Sequence, residues 1–380
     1  GVLSYTLWSG FRASVLTDFA QLMAMMAVAI LIIPAVLFAL GGPQTLSDGM
    51  SLLTPEQADL FSMDAILKQG APFFVAVLAY AIGNQTISQR LFAVREDHIK
   101  PTFITATIGY GAIVIGLGMI GLMALMTGMK PIDGDMNNLI PQMVSMYLSP
   151  VFIGLFFILV IGSLSSTADS DLSAMSAIVM ADVYGKNIAK NKPDPTKMLF
   201  IGRLTMIVAT LIGVILASFS MDILIMLVFV GALWGAIVFP VIASCFWDRV
   251  TNLAFTSAVI AGLLMFCVAR FELLPMAGFI AVLFELLAAV GGGVVLGLMT
   301  FGFCGRRVGL IVGALSAIGL AFLCVGFLRD YTVLLASLMA YGVSTLVCIA
   351  VSLLGSSKFD FTQIDQNVIN YDPAKTEAQA

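Results

Sequence analysis

One long apolar stretch of the chain is interrupted by a run of oxygen-bearing side chains. After Phe152-Ile153-Gly154-Leu155-Phe156-Phe157-Ile158-Leu159-Val160 the sequence turns to Gly162-Ser163-Leu164-Ser165-Ser166-Thr167-Ala168-Asp169-Ser170-Asp171-Leu172-Ser173. On a helix, Ser163, Thr167, Ser170 and Ala174 fall on one narrow stripe, with Ser166 about 60° to one side and Asp171 about 80° to the other. Asp169 lies one step beyond Ser166. A small hard cation takes oxygen ligands from hydroxyls, carbonyls and carboxylates. Serine and threonine supply such oxygens without a charge, and small residues let a neighbouring helix come close. The competing reading is helix–helix packing through a small-residue face, joined by interhelical hydrogen bonds. The two carboxylates weigh toward an ion site, because an unpaired Asp at membrane depth costs at least about 2.5 kcal/mol.

Two further places carry polar groups where apolar ones are expected. Asp18 stands in Leu16-Thr17-Asp18-Phe19-Ala20-Gln21, early in an apolar run. It reads either as an interfacial residue paired with Arg12 or as part of a buried site. In Tyr80-Ala81-Ile82-Gly83-Asn84-Gln85-Thr86-Ile87-Ser88-Gln89-Arg90, a glycine and two amides interrupt another apolar helix. Broken helices near the midplane expose backbone groups to solutes in many transporters, and amides both donate and accept. The alternative is a glycine-weakened helix whose amides bond a neighbour. Trp234 reads as packing, and the lone His98 as a solvated loop residue. The 5 cysteines lie in or beside apolar segments with no CxxC spacing, which argues against a disulfide framework and a cysteine metal site.

The elements that must position these groups follow from composition. Hydrophobic residues make up 60% of the 380 and charged residues 11%, and mean hydropathy is +1.05. A soluble domain carries about a quarter charged residues. Between the charged stretches the chain runs apolar for about 20 residues at a time, the length that crosses a bilayer core. The pattern predicts membrane helices over 12–40, 70–93, 102–128, 150–184, 199–218, 221–246, 253–269, 276–302, 308–327 and 331–355. Of the 18 Lys and Arg residues, only Lys68, Lys130, Arg270 and Arg329 fall on one side of this arrangement. The richer side is read as cytoplasmic, and the C-terminal tail with it. Segments 41–70 and 129–150 are expected to be solvated connectors or a partial lid outside. No basic patch with interleaved aromatics occurs, so nucleic acid is excluded as a partner.

Four stretches together resemble the sodium:solute symporter family. They are Tyr5-Thr6-Leu7-Trp8-Ser9-Gly10-Phe11 with Thr17-Asp18-Phe19-Ala20-Gln21, then Asn84 to Arg90, then Ser166-Thr167 ahead of Ala181-Asp182-Val183-Tyr184, and Phe246-Trp247-Asp248-Arg249. The resemblance runs from Tyr5 to about residue 260. It implies an all-α polytopic membrane protein with a LeuT-type inverted-repeat core and additional C-terminal transmembrane helices. Residues 1–246 would be the core, 247–355 four additional helices, and 356–380 a cytoplasmic polar tail. The chain opens on Gly1, and Gly1–Gly10 reads as the tail of a helix under way. The expectation is therefore a C-terminal fragment with an incomplete core, lacking the family's first four helices and most of the fifth.

The resemblance also implies roles. Ser163 would offer a backbone carbonyl, and Ser166 and Thr167 their hydroxyls, to a main sodium ion. Asp18, Asp169 and Ser170 occupy the positions of a second sodium site. Tyr80 stands where an aromatic gates or stacks on the solute, and Gly83, Asn84 and Gln85 line the solute. The function implied is sodium-coupled import of a small polar organic solute by alternating access, in the plasma membrane and, for a bacterium, the inner membrane. No enzymatic activity and no cofactor are implied, with Na+ as the coupling ion. Sugars or polyols, urea, amino acids and carboxylates stay open as solutes. A sodium-independent facilitator and a symporter-like sensor are the rival readings, and the short polar tail weighs against the sensor.

Overall fold

A computed structural model describes residues 1–59, 61–190, 192–219 and 223–362. The described residues form helices, turns and connecting loops. The long apolar runs become helices because a backbone in lipid must satisfy every N–H and C=O within its own segment. In chain order they are α1 (Val2–Ala39), α2 (Ala71–Gly83), α3 (Gln85–Ala93), α4 (Glu96–Met126), α5 (Leu139–Tyr147) and α6 (Pro150–Ile178). There follow α7 (Pro195–Ala217), α8 (Ile223–Phe246), α9 (Asn252–Arg270), α10 (Gly278–Cys304), α11 (Arg306–Cys324) and α12 (Thr332–Leu354). Ten helical segments among the described residues are long and apolar enough to cross a membrane, in the order the apolar runs predict.

The chain divides into two compact units that alternate along the sequence. One comprises Gly1–Leu60 and Gln85–Ser220, the other Phe61–Asn84 and Met221–Ala380. In the first unit α1 packs along α6 and also meets α4 and α7. Its apolar centre joins Val28, Ile32 and Val36 of α1 to Ile120 and Met123 of α4 and Leu159 of α6. Segment 129–150 is more than a solvated connector: its helix α5 buries Leu139, Met143 and Val144 in that same centre. The spacing of the three, i, i+4 and i+5, puts them on one face. Segment 41–70 breaks into short helical turns, Pro43–Gly49, Met50–Leu52, Pro55–Ala58 and Met63–Ala65. Thr54 and Gln57 close a capping box at the third of these, each satisfying a backbone donor of the other.

In the second unit α12 is the central helix, against α8, α9 and α10. Tyr341, Met339 and Leu335 of α12 are fully buried with Phe266 of α9. Lipid tails are as apolar as leucine, so helices in a membrane associate through close packing and hydrogen bonds. Both devices are present. A Cβ on Gly291 would strike the Leu338 carbonyl, and one on Gly342 the Leu287 carbonyl, so α10 and α12 touch backbone to backbone. The Tyr341 hydroxyl donates to the Val75 carbonyl at 2.8 Å. The tail expected over 356–380 lies outside the described residues from 363 onward.

Candidate functional site

The hydroxyl band of α6 lies where α1 packs on it, and the two helices meet through polar groups. Asp169 has no solvent exposure. Its Oδ2 accepts from the Tyr5 hydroxyl at 2.6 Å and from Thr17 Oγ1 at 3.1 Å. Its Oδ1 accepts from Ser14 Oγ at 2.8 Å and from Ser170 Oγ at 3.2 Å. The carboxylate is therefore held by rotatable hydroxyls, three of them from α1. Asp18, one turn beyond Ser14, faces the same band. Its Oδ1 accepts from Ser166 Oγ at 2.5 Å, and its Oδ2 pairs with Arg90 Nη2 at 2.6 Å. Arg90 comes from α3 and also donates to Ser170 Oγ. Asp18 thus pairs with Arg90 rather than Arg12, and joins the buried network instead of sitting at the interface alone.

The local sequence explains how these groups converge. Ser14, Thr17 and Asp18 are spaced i, i+3, i+4 and share one face of α1. Tyr5 lies across a kink at Gly10, whose φ of 54° and ψ of −136° interrupt the helix, a backbone state glycine adopts readily. The small residues of α6 admit α1 closely enough for side chains this short to meet. Arg90 stands one turn after Thr86, whose carbonyl it reaches at 3.4 Å.

The expected sodium ligands divide. Ser166 is half-buried in the network, while Ser163 and Thr167 are exposed on the neighbouring face. Thr167 Oγ1 donates to the Ser163 carbonyl at 3.2 Å. Asp169 and Ser170 are buried beside Ser166, and Asp171 is half-buried with no hydrogen bond among the described residues. Hydroxyl, carbonyl and carboxylate oxygens suit a small hard cation. Among the described residues no group of three or more His, Cys, Asp or Glu side chains gathers as a metal site. The band is hydroxyl-rich instead, as fits an ion of low charge. Tyr5, Ser14, Thr17 and Arg90 are network members that the spacing argument on α6 did not assign. Their signal is a polar i, i+3, i+4 face in an apolar run, and an arginine at the end of a broken helix.

The interrupted helix is broken at Asn84, whose φ of −85° and ψ of 123° are extended. Its N–H still closes on the Tyr80 carbonyl at 3.1 Å. Tyr80, Gly83 and Asn84 end α2 in one unit, and Gln85 opens α3 in the other. Tyr80 meets Trp234 edge-on with centroids 4.7 Å apart. A Cβ on Gly83 would come within 2.9 Å of the Trp234 ring, so glycine is what admits the indole. Trp234 packs, as its sequence context suggests, and it packs on an expected solute residue.

The family model "Sodium:solute symporter family" matches residues 2–262. The sodium/pantothenate symporter of Haemophilus influenzae is 24% identical over 264 residues, 68% of this chain and 54% of that protein. The high-affinity proline transporter PutP of Bacillus subtilis is 25% identical over 275 residues, 69% of this chain and 56% of that one. The osmoregulated proline transporter OpuE of Bacillus subtilis is 26% identical over 274 residues, 69% and 54% respectively. The chain spans about half the length of these relatives. No solved structure matches it significantly. The chain is a multi-pass membrane protein.

The match corrects one expectation. It begins at residue 2 and takes in the N-terminal helices α1 to α4. The expectation that the chain lacks the family's N-terminal helices is overturned by that match, because the helices it opens with lie inside the family's span. Short motifs such as Tyr5–Phe11 locate a resemblance but do not count the helices that stand before them.

Proposed function

We propose that this chain, which belongs to the sodium:solute symporter family, is a sodium-coupled secondary transporter importing a small polar organic solute by alternating access. The observation that carries this is the partly buried network of Asp18, Ser166, Ser170, Asp169 and Arg90 between α1, α3 and α6. Asp18 and Asp169, with half-buried Asp171 close by, set three carboxylates against the one guanidinium of Arg90, where uncompensated charge is expensive. A monovalent cation offsets part of the excess negative charge. Ser166 Oγ, which donates to Asp18, rotates to turn a lone pair toward the ion, and the hydroxyls around Asp169 do the same.

On this reading the main sodium ion takes the Ser163 carbonyl and the Ser166 and Thr167 hydroxyls, and Asp18, Asp169 and Ser170 serve a second ion or couple the first to the solute. Tyr80, Gly83, Asn84 and Gln85 serve the solute. Residues 1–246 form the transport core, 247–355 add four helices, and 356–380 form a tail on the cytoplasmic side of a bacterial inner membrane. No bond is made or broken in this cycle, and Na+ is the coupling ion. The names of the relatives, proline and pantothenate carriers, point to small carboxylate-bearing solutes. Uncharged amides next to an aromatic suit such a solute's polar and apolar parts.

The test is uptake of radiolabelled proline, pantothenate, sugars, polyols and urea into vesicles containing the chain, with and without an inward sodium gradient. Uptake of one solute class that requires the gradient is expected. Equal uptake with and without it removes symport and leaves a facilitator.

A further inference from the structure

In the second unit a cleft of about 560 Å³ opens among α8, α10, α11 and α12. It is far from polar: Phe246, Phe301, Leu310 and Leu353 line it, and Phe246 and Phe301 meet edge-on with centroids 5.3 Å apart. Its back wall is glycine. Gly293 and Gly297 of α10 face Gly313 and Gly309 of α11 so closely that a Cβ on Gly297 would lie 2.8 Å from the Gly313 Cα. Where backbones touch, no side chain fills the groove in front of them. Along α10 the lining from Phe301 back to Val290 rises about 17 Å, the depth of one leaflet of a core about 30 Å thick.

Two polar features break the apolar lining, at different depths. Arg306, the first residue of α11, stands exposed at the mouth beside the half-buried Trp247. Asp248, next along from Trp247, is paired with Lys358 at 3.4 Å. Deeper in, Thr345 of α12 is 4% exposed. The residue lines the cleft, while its hydroxyl oxygen is closed off from solvent and has no hydrogen-bond partner among the described residues. Gly291 packs on Gly342, and Gly297 on Gly309 and Gly313, which sets Thr345 about one to two turns in from Arg306.

We propose that this cleft binds one anionic phospholipid from the leaflet on the side of Trp247 and Arg306. Arg306 pairs with the phosphate, and one acyl chain lies along the glycine wall. The shape takes a chain, the guanidinium selects negative charge, and tryptophan at the same level is the ordinary anchor of a membrane interface. Basic pockets between membrane helices hold anionic headgroups by the same physics. This inference is independent of what the chain transports.

Trp247 is its own reporter. The chain is placed in phosphatidylcholine vesicles doped with phosphatidylglycerol brominated in its acyl chains. The fluorescence quenched in the wild type but not in Trp247→Phe is followed. Quenching by brominated phosphatidylglycerol is expected at roughly fivefold lower mole fraction than by brominated phosphatidylcholine. Arg306→Gln should erase that preference and Arg306→Lys keep it. Ala314→Phe, which fills the groove, should abolish saturable quenching. Equal quenching by the two lipids in the wild type, or a preference that survives Arg306→Gln, overturns the proposal and leaves an ordinary lipid belt.

Discussion

Two fully buried carboxylates, one in each unit, are satisfied in opposite ways. Glu285 of α10 accepts from the backbone N–H of Gly326 at 2.9 Å and of Arg329 at 3.1 Å. The Arg329 guanidinium adds two parallel bonds, each of 3.1 Å, from Nε and Nη2. The donors are fixed in direction and their charge cancels that of the carboxylate. Asp169 of α6 accepts from hydroxyls of Tyr5, Ser14, Thr17 and Ser170. Those donors rotate, and none of them carries charge. The first arrangement fixes a loop onto a helix. The second leaves a negative charge solvated by groups that can turn their lone pairs toward an ion.

The largest effect expected from this contrast is at Glu285. Glu285→Ala removes four accepted hydrogen bonds and strands two backbone N–H groups of the 326–329 turn. Breaking a buried ion pair from one side costs about 3–5 kcal/mol. The guanidinium of Arg329 is partly open to water, side-chain exposure 31%, so a loss of about 3 kcal/mol is expected. Thermal unfolding in detergent should show this as a fall in Tm that is the same in sodium and in potassium buffer. A Tm loss that depends on sodium would place Glu285 with the ion network and dissolve the comparison.

Asp18 should behave in the reverse way. Asp18→Asn keeps the side chain's shape and an acceptor for Ser166, and removes one formal negative charge. The fold should persist, and half-saturation by sodium, read as sodium-induced stabilisation, should rise about tenfold, equivalent to about 1.4 kcal/mol. An unchanged sodium response would make the Asp18–Arg90 pair a structural brace of the same kind as Glu285–Arg329.

How much of this was legible in the sequence depends on the range of the signal. The ten membrane segments are local properties of length and polarity, and they survive in the structure, although the first begins at Val2, ten residues ahead of the expected 12. The band on α6 was legible because Ser163, Ser166, Thr167, Asp169 and Ser170 lie within two turns, so helical geometry alone sets their bearings. What Asp169 bonds was not legible, because Tyr5, Ser14 and Thr17 are more than 150 residues away. That pairing is decided by which small-residue face α1 finds. The break at Asn84 followed from glycine and amides in an apolar run, whereas Glu285, a lone acid in α10, gave no hint that Arg329 would return to it. The chain's place in its family was overreached because motifs report likeness without position.

The smallest effect is the most discriminating. Tyr5→Phe deletes one hydrogen bond from an uncharged hydroxyl to the Asp169 carboxylate and leaves Thr17 bonded to the same oxygen at 3.1 Å. A bond to a charged group is worth about 1.5–3 kcal/mol; because Thr17 stays on that oxygen and Tyr5 is half-buried, the net loss should be about 1 kcal/mol, a modest fall in Tm measured without sodium. The sign of the sodium response then decides between the two kinds of carboxylate. If Asp169 belongs to an ion site, removing a competing donor leaves its oxygen less well solvated and so more in need of a cation. Tyr5→Phe should then gain more stability from sodium than the wild type does, and part of its deficit should vanish as sodium is added. If Asp169 is structural, as Glu285 is, the deficit stays constant at every sodium concentration. A parallel pair of curves for Tyr5→Phe and wild type would therefore remove Asp169 from the ion network, even with the response of Asp18→Asn intact.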